Sequence, residues 1–306
     1  MIDDAYASNM ADSSFYVGAC QDCNSTLLRV HAENSALGYS GSNAGGHLVI
    51  EWSEWDLNRA GIAPNSLAND DAPSPQNGAC PSDPTSSCTV IQYNWVHDNN
   101  NPNTPAIGLT SGTPVGTGIE ISGGQNDTVQ RNLITHQGSW GVLINDYPDP
   151  SPPSVPTYCS GGIPGVPNPI GPGTVCYFVA FGSRVTENVL ARNGFFGNPT
   201  NGDLADATTA YPVDNCFGGS LDLLTGAPSS DPANIQNASV LGTCGVAGGG
   251  DTGLLFAQVA CAALNICPAG GAYPQPTGVR LLPIPRAEPS MPDPCEGVPA
   301  NPFCER

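Results

Sequence analysis

The sequence contains no lysine and few charged residues of either sign. All 8 basic residues are arginine, 27 residues are acidic, and the formal net charge is −19 over 306 residues. A surface this acidic repels the phosphate backbone of nucleic acids and anionic membrane surfaces. We therefore expect no nucleic-acid partner. Solubility is the simplest explanation of the acidity, and binding of cations or of a neutral or cationic polymer is the alternative.

Long apolar runs are missing as well. No stretch reaches the ~20 residues that a membrane span needs, so we expect no membrane insertion. The first residues lack the basic and apolar regions of a signal peptide. Apolar residues instead form short clusters among 37 glycines and 31 prolines, a pattern that predicts many short strands and ordered loops. The motifs of a nucleophile elbow, a phosphate-binding loop, a dinucleotide site and an HExxH zinc site are absent.

Twelve cysteines are present, and none has the spacing of a zinc site. They occur as close neighbours that bracket loops rich in Gly, Pro and Ser, which favours local disulfides. Disulfides in this number predict an oxidising compartment and a secreted protein whose signal peptide is absent from this chain. The expected pairs are Cys20/Cys23, Cys80/Cys88, Cys159/Cys176, Cys216/Cys244, Cys261/Cys267 and Cys295/Cys304.

An irregular internal repeat is the strongest signal. Residues 89–100, 127–138 and 183–194 align on Asn94, Asn132 and Asn188. Each copy has one aliphatic residue three positions before the asparagine and another two positions after it. Alternating aliphatic residues turn one face of each short strand inward, and the Asn-Gly hairpin turns of a compact sheet are scarce. The aliphatic positions are Ile91, Val129, Val185, Val96, Ile134 and Leu190.

These units predict a stack of coils. We expect the asparagine to adopt a left-handed backbone at a corner and to bond the asparagine of the next coil. The predicted fold is all-β: a right-handed parallel β-helix, or solenoid, over residues 1–245. Residues 246–306 are predicted to form a short helix, Thr252–Leu264, that caps the edge of the last coil, and a Pro-rich tail that runs back along the stack. Long disulfide-stapled loops would wall a groove: Pro64–Cys88, Tyr147–Cys176 and Asn198–Cys216.

From about Ala5 to Gly245 the repeat resembles the right-handed parallel β-helix superfamily, which has the architecture of pectate lyases, and looks closest to secreted β-helix-repeat proteins of actinobacteria. This resemblance implies polysaccharide lyase, glycoside hydrolase or epimerase activity, or a non-catalytic role. The Asn-Thr-Asp and Gly-Asp-Asp signatures of polygalacturonases and the Asp-Pro-His-Asp signature of alginate epimerases are absent. Without lysine, the lysine–arginine pair of many pectate lyases is excluded. The resemblance therefore assigns no catalytic residue.

One catalytic hypothesis comes from the repeat itself. Asp98, His136 and Arg192 occupy the same position in three copies, so stacked coils would align them about 4.8 Å apart. His136 would then be a general base and Arg192 would neutralise a uronate, with His97 and Asp56 beside them. A solvated column of charges that pair by chance is the alternative.

Other candidate residues lie outside this column. Glu120 is predicted to point outward beside Leu143 and to pair with Asp146 or Asp98 as in a glycosidase, although it could also be a lone exposed carboxylate. Some tryptophans are expected to pack inside and others to bind sugar. The candidates for substrate binding are Trp55, Trp95, Trp140 and His97, and those for a Ca²⁺ site, the sole cofactor expected, are Asp203, Asp206 and Asp214.

The sequence thus predicts a secreted protein whose partner is a polysaccharide or another glycan. The first hypothesis is a polysaccharide lyase or glycoside hydrolase that acts in a groove on the outer face of the β-helix. The alternative is a non-catalytic glycan-binding or cell-surface protein. An enzyme requires two or more titratable groups with shifted pKa values in a cleft, whereas a binding module requires only exposed aromatic and polar groups.

Overall fold

The protein is built mainly from β-strands. The computed structural model describes residues 1–20, 22–68, 88–150, 159–169, 171–208, 215–238 and 252–283. Within these ranges there are 24 strands, a single α-helix, and short 3-10 helices at Gly108–Gly112 and Ile235–Ala238. The expectation of a predominantly β protein is confirmed.

Three parallel sheets of seven strands make up most of the structure. The first sheet contains β1 (Ile2–Asp3), β4 (Ser25–Leu28), β7 (Leu48–Glu51), β10 (Thr89–Gln92), β13 (Thr128–Gln130), β19 (Arg184–Thr186) and β22 (Cys216–Gly218). The second contains β2 (Tyr6–Ser8), β5 (His31–Glu33), β8 (Glu54–Asp56), β11 (Trp95–His97), β14 (Leu133–Thr135), β20 (Val189–Ala191) and β23 (Leu221–Asp222). The third contains β3 (Ser13–Tyr16), β6 (Leu37–Ser42), β9 (Ala60–Asn65), β12 (Thr117–Ser122), β15 (Trp140–Asn145), β21 (Gly202–Ala207) and β24 (Ser230–Asp231).

The chain visits the three sheets in turn, and each strand pairs with the equivalent strand of the next round. We call one such round a coil. This connectivity is consistent with a parallel β-helix. The register also agrees with the repeat, because Ile91 pairs with Val129 and Val129 with Val185. In the second sheet Val96, Ile134 and Leu190 align in the same way.

The hydrophobic core lies between the sheets, where most strands of the first and second sheets contribute one inward residue and β12 and β15 of the third sheet contribute two each. These side chains are fully buried and belong to one cluster. A coil buries its apolar side chains only when its neighbours cover it, so successive coils depend on each other. The core residues are Leu27, Ile50, Ile91, Val129, Val185 and Phe217 in the first sheet; Ala32, Trp55, Val96, Ile134 and Leu190 in the second; and Tyr39, Ile62, Ile119, Val142 and Leu204 in the third.

The corner between the first and second sheets contains the predicted asparagine ladder. The side-chain oxygen of Asn132 accepts from the backbone N–H of Asn94 at 3.0 Å, and that of Asn188 accepts from Asn132 at 3.1 Å. One detail of the prediction is wrong. The left-handed residues are Tyr93, Arg131 and Glu187, each of which precedes an asparagine. The preceding residue makes the bend, so the buried asparagine side chain can bond along the stack.

A second ladder, which the sequence analysis missed, occupies the corner between the second and third sheets. Each member offers its side-chain oxygen to the backbone N–H of the member in the preceding coil, at 2.9–3.2 Å. Both ladders satisfy backbone groups that the corners bury. The members of the second ladder are Ser35, Asn58, Asn99, Gln137 and Asn193.

Two of the predicted long loops contain strands. Within Tyr147–Cys176 and just beyond it, β16 (Tyr147–Asp149), β17 (Ile163–Pro167) and β18 (Thr174–Phe178) form an antiparallel sheet. The prediction of a loop over Asn198–Cys216 is wrong in its first half, because β21 lies there and is buried throughout. Most of Pro64–Cys88 lies outside the described residues.

Three of the six predicted disulfides are present: Cys20–Cys23, Cys159–Cys176 and Cys261–Cys267. Cys88 and Cys216 are also disulfide-bonded. The remaining predicted partners, Cys80, Cys244, Cys295 and Cys304, lie outside the described residues. Disulfides in this number indicate an oxidising environment.

The α-helix, α1 (Thr252–Leu264), has the predicted bounds, and the predicted face of Leu255, Val259 and Ala262 is buried. Its position differs from the prediction of an end cap. The buried face packs against the outer face of the third sheet, in one cluster with Trp140, Leu143, Ala205 and Ala207. None of the described helices is long and apolar enough to cross a membrane.

The described part of the tail runs back along the stack, as predicted. Its backbone is hydrogen-bonded first to Asn198 at Ala272, then to Asn103, and finally to Asn34 and Asn9 in the first two coils. The described tail therefore runs along the corner between the second and third sheets, and α1 packs on part of the outer face of the third sheet, whereas the outer face of the second sheet carries no such layer of secondary structure in the described residues.

Candidate functional site

Asp98, His136 and Arg192 occupy equivalent positions in three coils, as the predicted column requires. Only His136 and Arg192 contact each other. All three residues have left-handed backbones (φ 53–58°) at equivalent corners after β11, β14 and β20. An Nη1 nitrogen of Arg192 lies 3.2 Å from Nε2 of His136. The Asp98 carboxylate lies 3.0 Å from Nδ1 of His97. The structure thus forms a His136–Arg192 pair and an Asp98–His97 pair in place of a continuous relay.

The second face, defined as the outward side chains of β2, β5, β8 and β11, concentrates titratable groups. In each of these strands the middle residue points into the core and its two neighbours point outward, because strand side chains alternate. Nε2 of His31 lies 2.8 Å from Asp56 Oδ1, and Nε2 of His97 lies 3.1 Å from Glu54 Oε1. The outward residues are Tyr6, Ser8, His31, Glu33, Glu54, Asp56, Trp95 and His97.

Hydrogen bonding governs the charge of His31. The bond to Asp56 favours the imidazolium and outweighs the burial of the ring, so the pKa of His31 is raised above its usual value. The phenol of Tyr6 donates to Glu33, and burial together with that carboxylate raises the pKa of Tyr6. The second face therefore combines imidazole and carboxylate groups in direct contact.

Of the three tryptophans predicted to bind sugar, only Trp95 is exposed. It is 46% exposed, and its ring stacks on His97 with centroids 3.8 Å apart. Trp55 is buried in the core, where its indole N–H donates to Asn94. Trp140 is buried beneath α1 and donates to the carbonyl of Thr200. The prediction for Trp55 and Trp140 is wrong, because core or helix packing leaves neither ring accessible.

An aromatic pair beside Trp95 was not among those candidates. Trp52 is 60% exposed and stacks on Tyr93 with centroids 4.8 Å apart and planes 13° apart. Arg131 donates to the Tyr93 hydroxyl at 3.0 Å and also bonds Glu187, which anchors the pair. We call Trp52, Tyr93 and Trp95 the aromatic strip.

A groove of about 570 Å³ lies on the outer face of the third sheet, between residues 107–114, α1 and residues 145–150. Its walls are mainly apolar, with Leu109 and Phe256 among them, and its floor contains hydroxyl and amide groups. A volume of this size is typical of small-molecule sites.

Glu120 lies on the floor of this groove and aligns with Leu143, as predicted. Its side chain is buried, and no hydrogen bond reaches its carboxyl group from the described residues. Burial raises the pKa of Glu120 to about 8, against a smaller opposing effect of the Arg59 charge. The group is therefore mainly a neutral acid at pH 7 and able to donate a proton.

The predicted partners of Glu120 are not joined to it. Asp146 lines the groove but is fully buried, and its two oxygens accept from the Tyr177 hydroxyl and the Ala180 backbone N–H, both at 3.0 Å. The Asp98 carboxylate contacts the His97 ring instead. Among the described residues, no hydrogen bond joins Glu120 to either carboxylate, and the glycosidase-like arrangement stays a prediction.

The predicted Ca²⁺ ligands are separated and already bonded. Asp203 accepts from Asn193 and from two donors of Ser229, whereas Asp206 accepts from Thr208 and Asn215. Both lie on buried β21. Burial raises the pKa of Asp203, and that of Asp206 to about 6. Asp214 lies outside the described residues. Hydrogen-bond donors thus occupy the oxygens that a cation would use.

The second face offers a better set of metal ligands. Ligand atoms of His31, Glu33 and Asp56 lie within 4.8 Å of one another, as do those of Glu54, Asp56 and His97. The signal was present in the sequence as three aligned triplets, His31–Glu33, Glu54–Asp56 and Trp95–His97, each with an apolar residue in the middle. Aligning the outward positions of successive coils would have predicted this group of ligands.

No family model, no curated protein and no solved structure matches this chain.

Proposed function

We propose that this protein is a secreted right-handed parallel β-helix that binds a polysaccharide along the aromatic strip. The supporting observation is the stack of exposed Trp52 on half-buried Tyr93, with exposed Trp95 two residues further along the chain. Exposed aromatic rings gathered in one place lose the apolar contacts they would have in a core, and they are typical of recognition surfaces. The apolar faces of sugar rings stack on such side chains.

The preferred polymer is neutral. Four carboxylates, those of Glu33, Glu54, Asp56 and Asp98, lie on or beside the second face, and the whole chain carries a net charge of −19. These charges would repel a uronate polymer, whereas carboxylates readily accept hydrogen bonds from sugar hydroxyls. The proposed polymer therefore differs from the uronate that the predicted role of Arg192 implied.

The test is isothermal titration with soluble neutral glycans, such as xylan and cellulose oligosaccharides, against polygalacturonate. Trp52→Asn removes one ring of the strip, and asparagine tolerates the left-handed backbone at that position (φ 53°). We expect this variant to lose about tenfold or more in affinity, as for an aromatic hot spot.

Phe195→Ala is the matched control, because Phe195 is 55% exposed and lies away from the strip. It should bind like the wild type. Equal binding by the wild type and Trp52→Asn, or binding of polygalacturonate alone, would refute the proposal.

Glycoside cleavage in the groove is a second candidate function, favoured by the neutral carboxyl of Glu120. General-acid catalysis needs a proton donor whose pKa lies near the working pH. Another carboxylate of the groove, that of Asp12, accepts from the Ser13 hydroxyl and lies three coils from Glu120, which is about 14 Å along the stack. Paired carboxylates of glycosidases are at most about 9.5 Å apart. The missing partner makes binding the leading proposal.

This second candidate is tested by an activity screen on the same polysaccharides. Release of reducing ends would report a hydrolase, and ultraviolet absorbance of an unsaturated product would report a lyase. Glu120→Gln should abolish product formation while Trp52→Asn retains it on short substrates. Turnover that survives Glu120→Gln would exclude the groove.

A further inference from the structure

His97 is held between two carboxylates on the second face. Its Nδ1 lies 3.0 Å from Asp98 Oδ2, and its Nε2 lies 3.1 Å from Glu54 Oε1. A neutral imidazole has one N–H and cannot donate to both. When the Nδ1–H donates to Asp98, the lone pair of Nε2 faces Glu54 Oε1, and a cation between these two atoms would contact both.

The contact between His97 Nδ1 and Asp98 is of the kind that metal-binding histidines make on the side away from the metal. Such a histidine usually donates its other ring N–H to a carboxylate, which fixes the tautomer and the ring orientation. Asp98 occupies this position for His97, and stacking with Trp95 further restricts the ring. Asp56 has an outer partner too, since His31 Nε2 lies 2.8 Å from its Oδ1. Two of the three potential ligands are thus oriented by neighbours.

The spacing suits a small ion. Ligand atoms of Glu54, Asp56 and His97 lie within 4.8 Å of one another. In a tetrahedral zinc site with bonds of about 2.0–2.2 Å, adjacent ligand atoms are about 3.3 Å apart. The 3.1 Å between His97 Nε2 and Glu54 Oε1 is already close to that value.

We propose that Glu54, Asp56 and His97 bind one divalent transition-metal ion of the zinc class, with Asp98 and His31 as positioning residues. An imidazole ligand favours zinc, cobalt or nickel over Ca²⁺, which prefers six to eight oxygens. Three protein ligands leave one position open to water or to a sugar hydroxyl. This inference goes beyond the proposed glycan binding, because none of its ligands belongs to the aromatic strip.

The experiment uses the untagged full chain, because a histidine tag would bind the probe. The protein is stripped with chelator, dialysed, and titrated with ZnCl₂ in a calorimeter. CoCl₂ is then added, since the intensity of visible Co²⁺ absorption reports four-coordinate geometry. We expect one ion per chain and the strong absorption of a tetrahedral site.

Three variants locate the ion. Glu54→Gln replaces a side chain that is 39% exposed, so the fold should persist, and we expect roughly a tenfold or greater loss of Zn²⁺ affinity. Asp98→Asn should lose a similar or smaller factor through the outer contact. His47→Asn is the control, because His47 is exposed and contacts only Asp22 among the titratable groups of the described residues. Its affinity should stay within about twofold of the wild type.

Absence of saturable Zn²⁺ binding, or equal losses in Glu54→Gln and His47→Asn, would overturn the proposal. Thermal unfolding of each apo variant shows whether it is folded, and Glu54→Gln remains informative if His97 variants do not fold. Glycan binding is measured separately through Trp52→Asn, so either proposal can fail without the other.

Discussion

The outer faces of the second and third sheets are formed by the same coils, yet they carry different chemistry. Strands of the second sheet have two or three residues, and their outward side chains include histidines, carboxylates and exposed aromatic rings. Most strands of the third sheet have six residues, and α1 packs in one cluster with outward side chains of β15 and β21. Side chains alternate between inward and outward positions in the same way in both sheets. The sheets differ in what packs on their outer faces, because α1 lies on the third sheet and no described helix or strand lies on the second.

The presence or absence of this layer determines whether an outward carboxylate is buried and whether its pKa is raised. On the third sheet Glu120 is buried without a hydrogen-bond partner in the described residues, so its pKa rises to about 8. On the second face the carboxylates contact histidines, as the Asp56–His31 and Glu54–His97 pairs show, and Glu54 is exposed whereas Asp56 is buried. The covered face therefore favours a lone neutral acid, whereas the open face favours clustered charges and ligand exchange.

The largest expected effect comes from the same substitution made on both faces. Trp140 is fully buried under α1, so Trp140→Ala should cost about 3–5 kcal/mol of unfolding free energy. Trp95 is 46% exposed, and Trp95→Ala should cost about 1 kcal/mol or less. Denaturant unfolding of both variants measures the difference. Similar losses would mean that the second face is also covered, which would contradict the comparison.

A smaller effect is expected from pH, through Glu120. Its pKa rises from 4.5 to about 8 on folding, so between these values the native state holds a proton that the unfolded state has lost. Stability from this group is therefore complete below about pH 4.5 and declines as pH rises to about 8. The decline should be on the order of a few kcal/mol, since each pKa unit corresponds to about 1.4 kcal/mol.

Glu120→Gln keeps the shape of the side chain and removes the titration. We expect the wild type and the variant to unfold at similar denaturant concentrations near pH 5, and the wild type to become the less stable of the two near pH 9. Asp127 and Asp206 also have raised pKa values and contribute with the same sign, so the difference between the two proteins is the informative quantity. Parallel pH profiles would show that water reaches Glu120 freely.

The repeat could be predicted from sequence because it is local and periodic. The inward positions Ile91, Val129 and Val185 recur at a fixed distance from an asparagine, and the bounds of α1 follow from its own apolar face. The burial of Trp55 could also have been predicted from the alignment of the repeats. It aligns with the inward Val96, whereas Trp95 aligns with the outward Glu54.

The surroundings of Trp140 could not be predicted in this way. On β15 it has the parity of the inward Val142, yet its ring packs in one cluster with Tyr273 and α1, which follow more than one hundred residues later. The same holds for Glu120, whose raised pKa depends on the segments that form the groove. Asp203 and Asp206 were assigned to a loop because small and acidic residues dominate β21, although neighbouring strands supply its pairing and burial. Burial by segments that are distant in sequence thus limited the prediction of the site more than the prediction of the fold.

The smallest effect is expected at His136, on the open side. His136→Asn suits the left-handed backbone (φ 55°) and removes the imidazole. The ring makes a single exposed contact with Arg192, and Asp98 points to His97 instead. Solvent screens exposed pairs of this kind, so stability should change by about 0.5 kcal/mol or less. Glycan affinity should also be unchanged, because His136 lies outside the aromatic strip. A loss above about 1.5 kcal/mol in denaturant unfolding, or a clear loss of glycan affinity, would restore the continuous charged column, since only a connected network makes one exposed member costly to remove.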